Sequence, residues 1–230
     1  MASGSLDGYH TPTTIDIIWN VRYDTSMVEA VVSGHGPVVG GVPTVACDID
    51  GVLYELVPAV REFVHVNYGV PVDRMPDPKR YDLWSEWDLN LGVNLSTILV
   101  DAVEAGEMFW RGEAHQPGLN GLRTLKDMGF KVVLVSARDL PGLEDVCYTA
   151  TVSWLASVDA VYDDLYITSD KTTVQFDFLI DDYAKNVRAA HAAGRHAILL
   201  NREWNTNVTD VRQAAWPEIP DIVASTFQAA

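Results

Sequence analysis

Asp48 and Asp50 stand two residues apart at the end of the apolar run Val45-Ala46-Cys47, with Gly51-Val52 directly after them. Alternation along a strand sends both side chains out from the same face. The glycine lets the backbone turn close to a ligand. One carboxylate so placed can attack phosphorus while its neighbour gives and takes a proton. A difficult hydrolysis is thereby divided into two easier steps through an aspartyl-phosphate. Three more apolar runs end in groups suited to the same chemistry. Lys131-Val132-Val133-Leu134-Val135 ends in Ser136, whose hydroxyl can hydrogen-bond a phosphoryl oxygen. Leu165-Tyr166-Ile167-Thr168 leads to Ser169-Asp170-Lys171, and the Lys171 ammonium can stabilise charge developing on that group. Phe176-Asp177-Phe178-Leu179-Ile180 ends in Asp181-Asp182. Asp48, the carbonyl of Asp50 and one of that pair match the coordination Mg2+ favours, with few carboxylates and room for water and phosphate. The ion would serve there as Lewis acid and template. Arg138, two residues past Ser136, is a candidate for facing the substrate.

Each group has a plainer explanation when taken singly. Asp-x-Asp occurs in turns, an Asp favours a helix N-terminus, a Ser after a strand often caps a helix, and most Lys are solvated. The order of all four motifs along one chain is what sets them apart.

Positioning them requires a particular fold. Short, nearly all-apolar runs suit strands of a parallel sheet covered by helices on both faces. In such sheets ligands bind beyond the carboxyl ends of the strands. Helical periodicity is expected over 57–69, 96–106, a stretch through Leu119, Leu122 and Leu125 closed by Gly129, 142–157 and 183–193. Ala197-Ile198-Leu199-Leu200 supplies a fifth strand. Alternating strands and helices predict an α/β fold with right-handed crossovers, a Rossmann-like, doubly wound and mostly parallel sheet. Residues 44–56 and 116–230 would form this core. The Pro- and Trp-rich segment 57–115 between them is longer than a crossover needs and reads as an inserted helical cap. Residues 1–43 form an N-terminal extension, in which Ile15, Ile17, Trp19, Val21 and Tyr23 alternate with more polar neighbours and predict a β-hairpin with a return through Val28, Ala30 and Val32. The exposed edge of such a strand invites pairing with a second copy, a homodimer.

Composition narrows the partners. The 32 Asp and Glu against 16 Lys and Arg give a net charge of −16, which repels polymeric nucleic acid. A phosphorylated small molecule is repelled too unless a cation neutralises its site. Two cysteines, Cys47 and Cys147, suggest no disulfide framework. No segment resembles a signal peptide or a membrane span. A cytoplasmic location and no membrane partner are the expectations.

The four motifs, Asp48-x-Asp50-Gly51-Val52, Ser136, Lys171 and Asp181-Asp182, resemble those of the haloacid dehalogenase superfamily of aspartate-dependent phosphatases. They span 44–183 in the superfamily's order. The stretch from Thr168 to Asp182 is similar to the matching segment of the 5′(3′)-deoxyribonucleotidases, which also carry a small helical cap and an aromatic pocket for the base. The resemblance implies Asp48 as nucleophile, Asp50 as acid/base, and Ser136 and Lys171 as phosphate ligands. It implies Mg2+ held by Asp48, Asp50 and Asp182, with Asp181 close behind. Leu56, Trp84, Phe109 and Trp110 fall where the family binds the base, and they serve equally well as cap core. Ala137 and Arg138 follow Ser136 on the substrate side. Three departures bear on the substrate: Ala137 replaces a second hydroxyl, Ser169 an arginine, and Leu56 an aromatic.

The leading expectation is therefore a Mg2+-dependent phosphomonoesterase acting on (deoxy)nucleoside monophosphates. The same chemistry could serve a sugar phosphate or another small phosphorylated metabolite, because fold and catalytic core do not fix the substrate. A non-catalytic interaction module is the third alternative, disfavoured because every catalytic position holds a competent residue.

Overall fold

The computed structural model describes residues 41–81, 85–87, 89, 91 and 95–228. The hairpin expected at 15–32, with its subunit-pairing edge, and the candidate Trp84 lie outside the described residues.

Within them, β1 (Thr44–Cys47), β2 (Lys131–Ser136), β3 (Asp164–Ile167), β4 (Phe178–Asp181), β5 (His196–Leu200) and β6 (Gln213–Ala214) form one sheet in the order β3-β2-β1-β4-β5-β6. Every pairing is parallel. Cys47 pairs with Leu134 on one side and Ile180 on the other, and Ser136 pairs with Ile167. This register brings the ends of the four motif-bearing strands to one edge, side by side.

The runs are continuously apolar because both faces are covered. Val45, Cys47, Val132, Leu134 and Ile180 join the larger apolar cluster with Leu122, Trp154 and Val223. Ala46, Val133, Val135 and Leu179 join a second cluster with Val187 and Ala190. Alternate residues of one strand thus serve opposite cores. The helices are α1 (Leu56–Tyr68), α2 (Leu95–Glu104), α3 (Gln116–Asp127), α4 (Glu144–Ser157), α5 (Ala184–Ala192) and α6 (Ile219–Gln228). The first five match the expected spans to within a few residues, and the doubly wound parallel sheet is the expected architecture. β6 and α6 were not expected. A two-residue strand has no periodicity to read, and Pro220 in the first turn of α6 obscures that helix.

α1 and α2 lie between β1 and α3. Val60, Ile98 and Met108 bury in the same cluster as Leu122 and Trp154, so the segment between β1 and α3 shares the apolar core of the sheet's helices. No helix among the described residues is long and apolar enough to cross a membrane.

Candidate active site

Asp48 leaves β1 with its amide on the Ile180 carbonyl at 3.0 Å. A tight turn follows, in which the Ile49 carbonyl accepts from the amides of Val52, Leu53 and Tyr54 at 3.2, 2.8 and 2.8 Å. Gly51 takes φ +75° within it, a conformation that favours a residue without Cβ. Asp181 and Asp182 stand at the end of β4. The buried carboxylates of Asp48, Asp181 and Asp182 place one oxygen each within 4.8 Å of one another. Lys171 begins a short 3-10 turn, Lys171–Thr173, capped by Asp170, whose side chain accepts from the Thr172 amide at 3.0 Å. Lys171 Nζ lies 2.7 Å from Asp48 Oδ1 and 2.8 Å from Asp181 Oδ2.

Three carboxylates against one ammonium leave the cluster rich in negative charge. Burial pushes the Asp48 carboxyl up to about 7, against the pull of Lys171 and with the help of Asp181. Burial, then Asp48 and Asp181, push Asp182 well above the usual carboxylate range. Burial alone would lower Lys171, but Asp181 and Asp48 overcome it and hold the ammonium charged.

The oxygens are unequally used. Asp181 is saturated: Oδ1 accepts from the Tyr183 amide at 2.8 Å, and Oδ2 from Lys171 at 2.8 Å and Asn186 Nδ2 at 3.0 Å. Asp182 Oδ2 accepts from Trp204 Nε1 at 3.0 Å, while Oδ1 is buried without a hydrogen-bond partner among the described residues. A buried carboxylate oxygen without a donor is costly. An all-oxygen donor set around it fits a hard divalent cation. Asp48 and Asp182 are the ligands this arrangement favours, with Asp181 behind them as the anchor of Lys171.

Asp50 turns elsewhere. Arg138 Nε and Nη2 donate to its Oδ2 and Oδ1 at 2.9 and 2.8 Å, and Ser136 Oγ lies 3.3 Å from Oδ2. Its carboxylate is outside the acidic trio, which leaves its main-chain carbonyl for a cation. Arg138, expected on the substrate side, is bound to Asp50 from within the protein. The side chain is 1% exposed, Nη1 donates to Thr151 at 3.1 Å, and the guanidinium carbon lies 4.7, 4.2 and 5.9 Å from the rings of Tyr54, Phe109 and Trp154. Its Nε and Nη2 donors are committed to holding Asp50.

A cavity of about 560 Å3 opens on these groups, and Asp48, Asp50, Arg138 and Lys171 line it. Of the expected substrate-side residues, Leu56, Phe109 and Ala137 line it too. Phe109 holds φ +68°, sparse for a residue with Cβ. Trp110 is not among the lining residues and packs against the main apolar cluster. Tyr81 and Tyr183 line the cavity with rings stacked at 3.6 Å and 11°.

A sequence model of the family of 5′ nucleotidase, deoxy (pyrimidine), cytosolic type C proteins matches residues 42–228. The chain belongs to this family. It is accordingly a phosphoric monoester hydrolase of nucleotidase type, within the superfamily its motifs resemble. A protein of Chlorobaculum tepidum carrying the provisional description 5′(3′)-deoxyribonucleotidase is 27% identical over 180 residues, 78% of this chain and 89% of that protein. Among solved structures, the L-2-haloacid dehalogenase of Xanthobacter autotrophicus covers 80% of this chain and 99% of its own at 12% identity and TM-score 0.48. The D,D-heptose 1,7-bisphosphate phosphatase of Burkholderia thailandensis covers 80% and 99% at 12% identity and TM-score 0.45. Likenesses that distant add nothing to the assignment.

This nucleotidase also builds its site from residues outside the four motifs. Trp204, on the 3-10 turn Glu203–Asn205 after β5, reaches Asp182. Tyr54 and Trp154 frame Arg138. The signal for Trp204 was its place: it follows the fifth apolar run by four residues, at the same carboxyl edge as the other motifs.

Proposed function

We propose that this chain is a Mg2+-dependent phosphomonoesterase of the cytoplasm that dephosphorylates (deoxy)nucleoside monophosphates through an aspartyl-phosphate on Asp48. One observation carries the reading. Asp48 and Asp182 bring buried oxygens together, Asp48 lines the cavity with Lys171, and Asp182 Oδ1 has no donor among the described residues. Bound between them, Mg2+ would neutralise the carboxylates and polarise the phosphoryl group. Asp48 Oδ1 accepts from Lys171 and from the Ile49 amide at 2.7 Å each. These two bonds fix the carboxylate and leave Oδ2 to attack phosphorus.

The P–O ester bond breaks as the Asp48–phosphorus bond forms, and Asp50 gives its proton to the leaving oxygen. Asp50 then takes a proton from water, whose oxygen attacks phosphorus and frees Asp48 and inorganic phosphate. Arg138 and Ser136 hold Asp50 for both steps, and Lys171 steadies the phosphoryl oxygens. The helical insertion 57–115 acts as a cap, placing Tyr81 and Phe109 over the cavity beside Leu56 of the core to exclude water and meet the nucleoside.

Phosphate release over a panel of deoxynucleotides, ribonucleotides, sugar phosphates and an aryl phosphate tests the reading. Nucleoside monophosphates should be preferred, and a flat profile removes the substrate claim. Asp48→Asn should lower kcat at least about 10³-fold. Retained activity would remove the mechanism.

A further inference from the structure

Asp182 is fixed by a residue outside the four motifs of this chain. Trp204 Nε1 donates to Asp182 Oδ2 at 3.0 Å, and that bond determines which oxygen stays open. With Oδ2 occupied, Oδ1 is the oxygen without a donor among the described residues. The fit around this pair is close. A Cβ on Gly51 would lie 2.2 Å from Asp182 Oδ2 and 3.1 Å from Trp204 Cζ2. The turn after Asp48, the indole and the Asp182 carboxylate therefore pack as one unit.

The indole is itself held. The Arg202 guanidinium carbon lies 5.1 Å from the Trp204 ring, within cation–π range. Arg202 Nη2 reaches Glu55 Oε2 at 2.6 Å, and Glu55 Oε1 lies 2.7 Å from His115 Nδ1. Asn205 Nδ2 donates to the main-chain carbonyls of Asp182 and Leu200 at 3.0 and 2.8 Å, which ties the Trp204 turn to the ends of β4 and β5. Glu55 directly precedes α1 and His115 directly precedes α3. The clamp thus gathers the two points where the helical insertion enters and leaves the core.

We propose that Trp204 is a positioning residue for the divalent cation: its indole N–H holds Asp182 with Oδ1 turned to the ion, and the Arg202–Glu55–His115 clamp holds the indole. This rests on the Mg2+ site of the proposed function. Partners that orient a ligand from behind commonly contribute 10–100-fold to metal affinity. They contribute through geometry, because an oxygen free to rotate must be ordered again each time the ion binds.

Calorimetric titration of the full chain with MgCl2 tests the role. Trp204→Phe keeps an aromatic ring and deletes the N–H. It should weaken Mg2+ binding by about 10–100-fold, and kcat should recover as Mg2+ is raised to saturation. Trp204→His, which can restore an N–H donor, should regain part of the affinity. A purely structural residue would instead lower the melting temperature equally in Mg2+ and in EDTA and leave the dissociation constant where it was. That result, or wild-type Mg2+ affinity in a folded Trp204→Phe protein, overturns the proposal. Should Trp204→Phe fail to fold, Arg202→Gln decides. Severalfold weaker Mg2+ binding supports the clamp, and unchanged binding overturns it. A wild-type chain that binds no Mg2+ removes the cation site itself, an outcome distinct from variants that bind as tightly as wild type.

Discussion

Arg138 is the residue whose surroundings say most about how this site is built. A guanidinium 1% exposed, with three aromatic rings around it, would be costly to bury alone. Its bidentate bond to Asp50 offsets that cost and fixes the carboxylate's orientation. Arg138→Met keeps much of the side-chain volume but leaves Asp50 without its partner. It should destabilise the protein by about 3 kcal/mol and lower kcat at least tenfold. Urea denaturation and steady-state kinetics measure the two effects separately. Arg138→Lys retains charge but not the planar fork, so its kcat should fall between those of Met and wild type. A full rescue by Lys would show that charge, and not geometry, is what Asp50 requires.

At the scale of elements, helix α3 meets the sheet domain through glycines. A Cβ on Gly121 would lie 2.3 Å from Trp216 Cε3, and one on Gly118 2.9 Å from the Val52 carbonyl. Gly121 ordinarily weakens a helix interior by about 1 kcal/mol relative to Ala. Here the sign reverses, because Trp216 is 2% exposed and has no room to withdraw. Overpacking of this kind costs typically 1–3 kcal/mol. Gly121→Ala should therefore lower the urea midpoint with an unchanged slope, and a rise would mean that Trp216 repacks freely. The Gly118 side of the same contact reaches the turn that follows Asp48. Trp216 Nε1 lies 3.3 Å from the Val52 carbonyl, so the helix, the indole and the turn after Asp48 brace one another.

Across the whole molecule, the excess of acid in the site should appear as a metal- and pH-linked stability. The Asp48 carboxyl is pushed up to about 7, first by burial, and Asp182 is raised as well. The folded chain then binds more protons than the unfolded chain between about 4 and 7. Stability in EDTA should fall as pH rises through that window. Mg2+ bound by these carboxylates would replace those protons, so added MgCl2 should raise the melting temperature more at pH 8 than at pH 5. At 100 times the dissociation constant the gain is about 2.7 kcal/mol. Calorimetric scans at the two pH values, with and without Mg2+, decide the matter. Equal shifts at both would mean that the cation does not bind these carboxylates.

How far the sequence carried can be judged residue by residue. The sheet was legible because strands buried on both faces must be apolar throughout, and Val45-Ala46-Cys47 and Val132 to Val135 are. The motif order placed Asp48, Ser136, Lys171 and Asp181-Asp182 at one edge, since parallel strands share a direction. Local pattern could not show that Asp50 turns to Arg138, or that Asp181 is spent on Lys171, Tyr183 and Asn186 while Asp182 Oδ1 stays open. Nor could it show Trp204 on Asp182, because partners 22 residues apart in the chain leave no trace in periodicity. Composition and spacing decide which groups reach the edge of a sheet. Which oxygen each donor takes is decided only when the side chains pack, because every hydrogen bond at a crowded site is won in competition with its neighbours.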